Sequence, residues 1–112
     1  MNRSKVITFY GASGNGYGFG EVRPQDAWAT QAGVAVFAAP DAYGWRVIQI
    51  VELTGRDHDV RPIWAYYDAE RYGASAVFLT RTLDREQRKT MIRDLEAGLS
   101  PVIGQQHFAL AA

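Results

Sequence analysis

The sequence predicts an α/β (α+β) fold, in which an N-terminal β-hairpin precedes a central three-stranded antiparallel sheet flanked by helices. Short runs rich in β-branched and aromatic residues recur between turn signals, which marks strands. Two longer segments carry apolar residues at helical spacing and are bounded by capping residues, which marks helices. With 112 residues, 47% hydrophobic and 12% aromatic, the chain suits one domain with a single core. We read residues 1–112 as that domain, with the hairpin at 1–22, the core at 33–101 and a tail at 102–112.

Val6-Ile7-Thr8-Phe9-Tyr10 and Tyr17-Gly18-Phe19-Gly20-Glu21-Val22 are the hairpin strands. Asn15-Gly16 between them offers the positive φ angles of a tight primed turn. Gly14, Gly16 and Gly18 resemble a phosphate-binding fingerprint only loosely, because that loop must open a helix and a strand pattern follows here. Arg23 to Ala32 is a connector punctuated by Pro24, with Trp28 anchoring it to the core edge.

Gly33–Ala38 and Arg46–Leu53 form two strands joined by the turn-rich Pro40-Asp41-Ala42-Tyr43-Gly44. Gln49 and Glu52 interrupt the second of them, which points to a solvated face or a site. Asp59 is placed to cap a helix running to Tyr72, with Pro62 in its first turn and Gly73 as its stop. Val60, Ile63, Trp64, Tyr67 and Tyr72 recur at helical spacing as its buried stripe. Tyr66 and Tyr67 diverge by about 100°, so one of them faces solvent or a partner.

Ser75–Thr80 is the third core strand. Asp84 followed by Gln87 opens the last helix as a capping box, and its inward face is the aliphatic stem of Arg88 with Met91, Ile92 and Leu95. Gly98, Ser100 and Pro101 end it, and the short apolar tail either drapes over the core or frays.

Composition removes several function classes. With no cysteine there is no disulfide, zinc ribbon or thiol nucleophile, and His58 and His107 are far apart in sequence. We therefore expect no metal and no cofactor. No apolar run approaches the roughly 18 residues needed to cross a bilayer, and the basic N-terminus leads into a strand rather than a signal segment. A cytoplasmic location is the resulting expectation. Twelve basic and twelve acidic residues cancel, which weighs against binding held mainly through phosphates.

Tyr10-Gly11-Ala12-Ser13-Gly14, Gly33-Val34-Ala35-Val36-Phe37, Thr54-Gly55, Gly73-Ala74 and Arg93-Asp94-Leu95 with Pro101 fall in an order that resembles the small GIY-YIG-like endonuclease domains of one bacterial subgroup. The resemblance implies the fold above and a phosphodiesterase site using tyrosines, a glutamate-held divalent ion and an arginine. At the matching positions stand Ala35 for the first tyrosine, Ile50 with Val51 and Glu52 for the second motif, Arg61 for the arginine, and Ile92 for the metal-binding glutamate. Arg61 aligns only after a one-residue slip, and Arg56 is the other candidate. A hydrocarbon at position 92 cannot ligate an oxygen-loving cation. The resemblance thus implies a degenerate nuclease, a pseudoenzyme that persists as an interaction module for an unknown protein partner or for a second copy of itself.

Two alternatives stay open. Arg81, Arg85, Arg88, Lys89 and Arg93 lie in one short stretch, with Arg85, Lys89 and Arg93 on one helix face, which suits weak nucleic-acid binding without cleavage. Tyr66 and Tyr67 add an aromatic surface for stacking or for protein contact. Alternatively, Glu52 and Glu96 are displaced carboxylates that restore a metal-dependent endonuclease. Asp57-His58-Asp59 is read as helix capping in preference to a metal site.

Overall fold

A computed structural model describes residues 5–104; the tail expectation for positions 105–112 lies outside the described residues. The chain is α+β. Its strands are β1 (Val6–Tyr10), β2 (Gly16–Val22), β3 (Ala32–Asp41), β4 (Gly44–Thr54) and β5 (Ala76–Arg81), and its helices are α1 (Arg61–Glu70) and α2 (Arg85–Leu99). A single 3-10 turn, Trp28–Thr30, lies between β2 and β3.

The strands form one five-stranded antiparallel sheet in the order β1-β2-β5-β3-β4, which corrects the expectation of a three-stranded sheet with a separate hairpin. The hairpin joins through β2, with Gly20, Glu21 and Val22 opposite Leu79, Phe78 and Val77. Phe9 stacks edge-on against Phe19 at 5.4 Å and against Phe78 at 5.6 Å. Continuing the sheet buries this aromatic face, which a free hairpin would leave in water.

The hairpin loop differs from the primed turn expected at Asn15-Gly16. The positive φ falls on Gly14, at 91°, and the loop closes when Gly11 N–H donates to the Asn15 carbonyl and Gly14 N–H to that of Gly11.

Strand β3, between β5 and β4, is buried on both faces. Ala35, Phe37 and Ala39 join Trp28, Leu53, Tyr66 and Ala69 on one side. Val34, Val36 and Ala38 join Ile50, Phe78, Ile92 and Leu95 on the other. Because strand side chains alternate between faces, α1 and α2 therefore cover opposite sides of the sheet. Both helices cross β4, the edge strand.

Helix α1 turns a different face inward from the expected stripe. Pro62, Tyr66 and Ala69 are buried, whereas Trp64 and Tyr67 are 66% and 61% exposed, and Val60 and Tyr72 are exposed too. Two adjacent stripes satisfy the same period, so periodicity alone does not choose between them. Packing chooses: the Tyr66 ring meets Phe37 at 5.1 Å and Trp28 at 6.2 Å, both edge-on. The helix is also shorter than expected at both ends. Its N-cap is Val60, yet Asp59 still accepts the Arg61 N–H at 3.3 Å.

Helix α2 starts where the sequence places it. Asp84 caps it by accepting the Glu86 N–H at 3.0 Å, and Arg88, Ile92 and Leu95 face inward. Left-handed Ser100 ends it, and Val102 and Ile103 then run parallel to the outer edge of β4, donating to the carbonyls of Val47 and Ile48. No helix among the described residues is long and apolar enough to cross a membrane.

Candidate functional site

The two helices on opposite faces leave a groove of about 1260 Å³ along β4. From α1 its wall takes Arg61, Trp64, Tyr67 and Asp68, and from α2 it takes Lys89, Ile92, Arg93 and Glu96. Gln49, Val51, Glu52 and Thr54 of β4 lie between these walls.

A bulge in β4 shapes the floor. The register slips between Phe37 and Ala38, so that Phe37 faces Gln49 while Ala38 faces Val47. Ile48 is the extra residue, and it packs in the core on the α1 side, as does Gln49's cross-strand partner Phe37. Such a slip re-aims side chains, here bringing Ile48 and Gln49 consecutively onto one side. Gln49 is 1% exposed, and neither its carboxamide oxygen nor its nitrogen has a hydrogen-bond partner. A buried amide left unpaired costs stability, which makes Gln49 the most anomalous side chain of the groove.

Most charges of the groove are already neutralised. Arg88 reaches under it, 6% exposed, donating to Glu52 Oε2 at 2.9 Å and to the carbonyls of Thr82 and Leu83. Arg61 grips Asp59 through both oxygens at 2.8 and 2.9 Å, and Asp59 also accepts from the Thr54 hydroxyl. The Arg61 guanidinium holds the Asp59 carboxyl well below the usual carboxylate range, and Asp59 in turn raises the pKa of Arg61. Arg71 lies 3.7 Å from Asp68. Lys89 and Arg93 have neither an ion pair nor a hydrogen bond among the described residues.

The positions singled out by the nuclease resemblance divide. Ala35 and Ile50 are fully buried on opposite faces of the sheet, so neither reaches the groove. Arg61, Ile92, Glu52 and Glu96 all line it. Ile92 is 7% exposed and packs with Leu95 and Phe78, placing hydrocarbon in the groove wall. Among the described residues no cluster of three His, Asp or Glu side chains is arranged to hold a metal ion.

The basic stretch divides as well. Arg88 is a buried clamp, so it is no part of an open cationic face. Arg81 donates to Gln31 at the far side of β3, Arg85 lies outside the groove, and only Lys89 and Arg93 enter it. Tyr66 is buried, which leaves Tyr67 as the open member of the tyrosine pair.

Sequence reasoning marked Gln49 as an interruption of its strand but missed that Trp64 would face the groove. It also missed the junction of α2 with the hairpin loop. There, Asp94 accepts from the Ser13 N–H and hydroxyl and from the Tyr17 hydroxyl at 2.7 Å. These bonds lower the pKa of Asp94, with the Ser13 hydroxyl as the largest contributor, and the bond to Asp94 raises that of Tyr17. No family model, no curated protein and no solved structure matches this chain.

Proposed function

We propose that this chain is a binding module without phosphodiesterase chemistry, a degenerate GIY-YIG-like domain that docks a protein in the groove between α1 and α2. The observation that carries this reading is the composition of the groove wall at its centre. Ile92 presents hydrocarbon where the resemblance requires a metal ligand, and the nearby Glu52 carboxylate is engaged by Arg88. A carboxylate paired with a guanidinium is a poor ligand for a hard cation, which needs several oxygen donors at once. The exposed Trp64 and Tyr67 supply what protein-binding surfaces are enriched in, large apolar area with few rotatable bonds.

A plasmid-nicking assay with magnesium or manganese tests the absence of catalysis. We expect no turnover above background. Turnover abolished by Glu52→Gln or by Glu96→Gln would overturn the reading in favour of a relocated nuclease site.

Lys89 and Arg93, in no ion pair among the described residues and lining the groove with Trp64 and Tyr67, favour a second reading as a nucleic-acid binder without cleavage. The burial of Arg88 and the zero net charge of the chain weigh against it. It requires a salt-dependent mobility shift that Lys89→Glu with Arg93→Glu removes.

A further inference from the structure

We propose that this chain forms a two-fold symmetric homodimer through β1, whose outer edge pairs antiparallel with β1 of a second copy, centred on Thr8. This interface is remote from the groove, since β1 and β4 stand at opposite ends of the sheet.

Hydrogen bonding fixes which groups of β1 face outward. Glu21 N–H donates to the Lys5 carbonyl at 2.8 Å and Gly11 N–H to the Asn15 carbonyl at 3.0 Å, in the ladder where Ile7 faces Phe19 and Phe9 faces Tyr17. In an antiparallel pair both main-chain groups of a residue point to one side, and the side alternates along the strand. Lys5, Ile7, Phe9 and Gly11 therefore turn toward β2, while Val6, Thr8 and Tyr10 direct N–H and C=O away from the sheet. Among the described residues no strand pairs with that side, whereas Val102 and Ile103 already bond β4 at the other end. The strand also lacks the usual protection of an edge, because Val6–Tyr10 holds no charge, no proline and no bulge.

Three features commit this edge to a second copy. The first is register. Pairing Thr8 with Thr8 of the second copy brings Val6 opposite Tyr10, so all three outward residues exchange both their bonds, and any shift carries at least one of them past the end of β1. The second is side-chain matching. Tyr10 and Val6, 60% and 70% exposed, become neighbours as an aromatic and β-branched pair, and Ile7 meets Phe9 on the α2 face. The third is charge. The same register sets Lys5 opposite Gly11 of the second copy, and the Asp94 carboxylate stands where a Gly11 side chain would be. Lys5 of each copy thus faces Asp94 of the other.

A two-fold pairing consumes the β1 edge of both copies and stops at the dimer. It leaves the two grooves at the outer ends of a continuous sheet, where a partner with two matching segments is held by both.

Sedimentation equilibrium on the full chain, up to about 1 mM, is the test. One strand per copy makes a small interface, so we expect a monomer–dimer equilibrium with a Kd on the order of 10–100 µM. Thr8→Pro should raise that Kd about tenfold or more, because it removes the N–H at the two-fold axis. It should leave the circular dichroism spectrum unchanged, since that N–H points away from the sheet. Thr8→Lys and Thr8→Glu should each stay monomeric alone, with like charges opposed at the axis, and should dimerise when mixed. Lys5→Glu should weaken the dimer about threefold or more, whereas Lys89→Glu with Arg93→Glu should not weaken it.

A monomer at every concentration overturns the proposal. So does a folded Thr8→Pro chain or a Lys5→Glu chain that pairs as tightly as the parent, or a mixture of the two Thr8 charge variants that stays monomeric. Should Thr8→Pro fail to fold, the mixed charge variants decide alone. A dimer dissolved by the double groove variant overturns it as well, since the copies would then meet at the groove. All these outcomes leave the nicking result untouched, so the dimer and the reading of the chain as non-catalytic fail separately.

Discussion

The carboxylate of Asp94 holds Ser13 twice, accepting its backbone N–H at 2.8 Å and its hydroxyl at 2.6 Å. The two residues lie 81 positions apart, and through them α2 is fastened to the loop of the N-terminal hairpin. Ala12 N–H adds a bond to the Asp94 carbonyl. Gly11 packs so closely that any β-carbon there would collide with the Asp94 carboxylate, so its lack of a side chain is what permits the contact.

Asp94→Asn should lower the urea midpoint at neutral pH, and the deficit should shrink in acid. The native pKa of Asp94 lies below its unfolded value of about 3.9, so its stabilisation is present above that value. It is lost as pH falls through the lower native pKa. Urea titrations of both proteins across that window check this, and a deficit that persists unchanged at the acid end would contradict it.

Gln49→Leu should stabilise the fold. The substitution removes two buried polar atoms that have no partner and keeps most of the volume, returning about 1–3 kcal/mol of desolvation cost. Urea denaturation measures the gain. If Gln49 is instead integral to ordinary core packing, the variant will be less stable than the parent.

Arg88→Met should destabilise by about 3 kcal/mol, because it strands the Glu52 carboxylate and leaves two carbonyls without their shared donor. Arg88→Lys should rescue little, since an ammonium cannot spread its donors as the guanidinium fork does. Equal midpoints for the lysine variant and the parent would show that the charge alone matters.

Leu95→Ala and Trp64→Ala should separate core from surface. Leu95 is fully buried on α2, and its truncation should cost about 2–5 kcal/mol. Trp64, despite its larger ring, is mostly exposed and should cost within about 0.5 kcal/mol. Thermal melts distinguish the two, and a large loss at Trp64 would restore the expected buried stripe of α1.

The strands, the cap of α2 and the inward stem of Arg88 were legible because each follows from a local pattern: β-branched runs, an aspartate before a helix, and spacing of three and four. The face of α1 was not legible. Both Trp64 with Tyr67 and Pro62 with Tyr66 fit a helical period, and only contact with Trp28 and Phe37 selects between them. The meaning of Gln49 was half legible, since its polarity in an apolar strand is visible in the letters. Its burial opposite Phe37, on the face shared with Val51 and Leu53, depends on pairing with a second strand.

By itself the sequence determined where strands and helices form, that cysteine chemistry is absent, and that hydrocarbon stands at position 92. The tertiary structure decided that the hairpin extends a five-stranded sheet, that Arg88 is a buried clamp while Lys89 and Arg93 stay open, and that two helices on opposite faces frame a groove along β4. The physical reason is range. Turn, cap and periodicity signals act over a few neighbouring residues, whereas burial, ion pairing and strand order are fixed by contacts between residues distant in the chain.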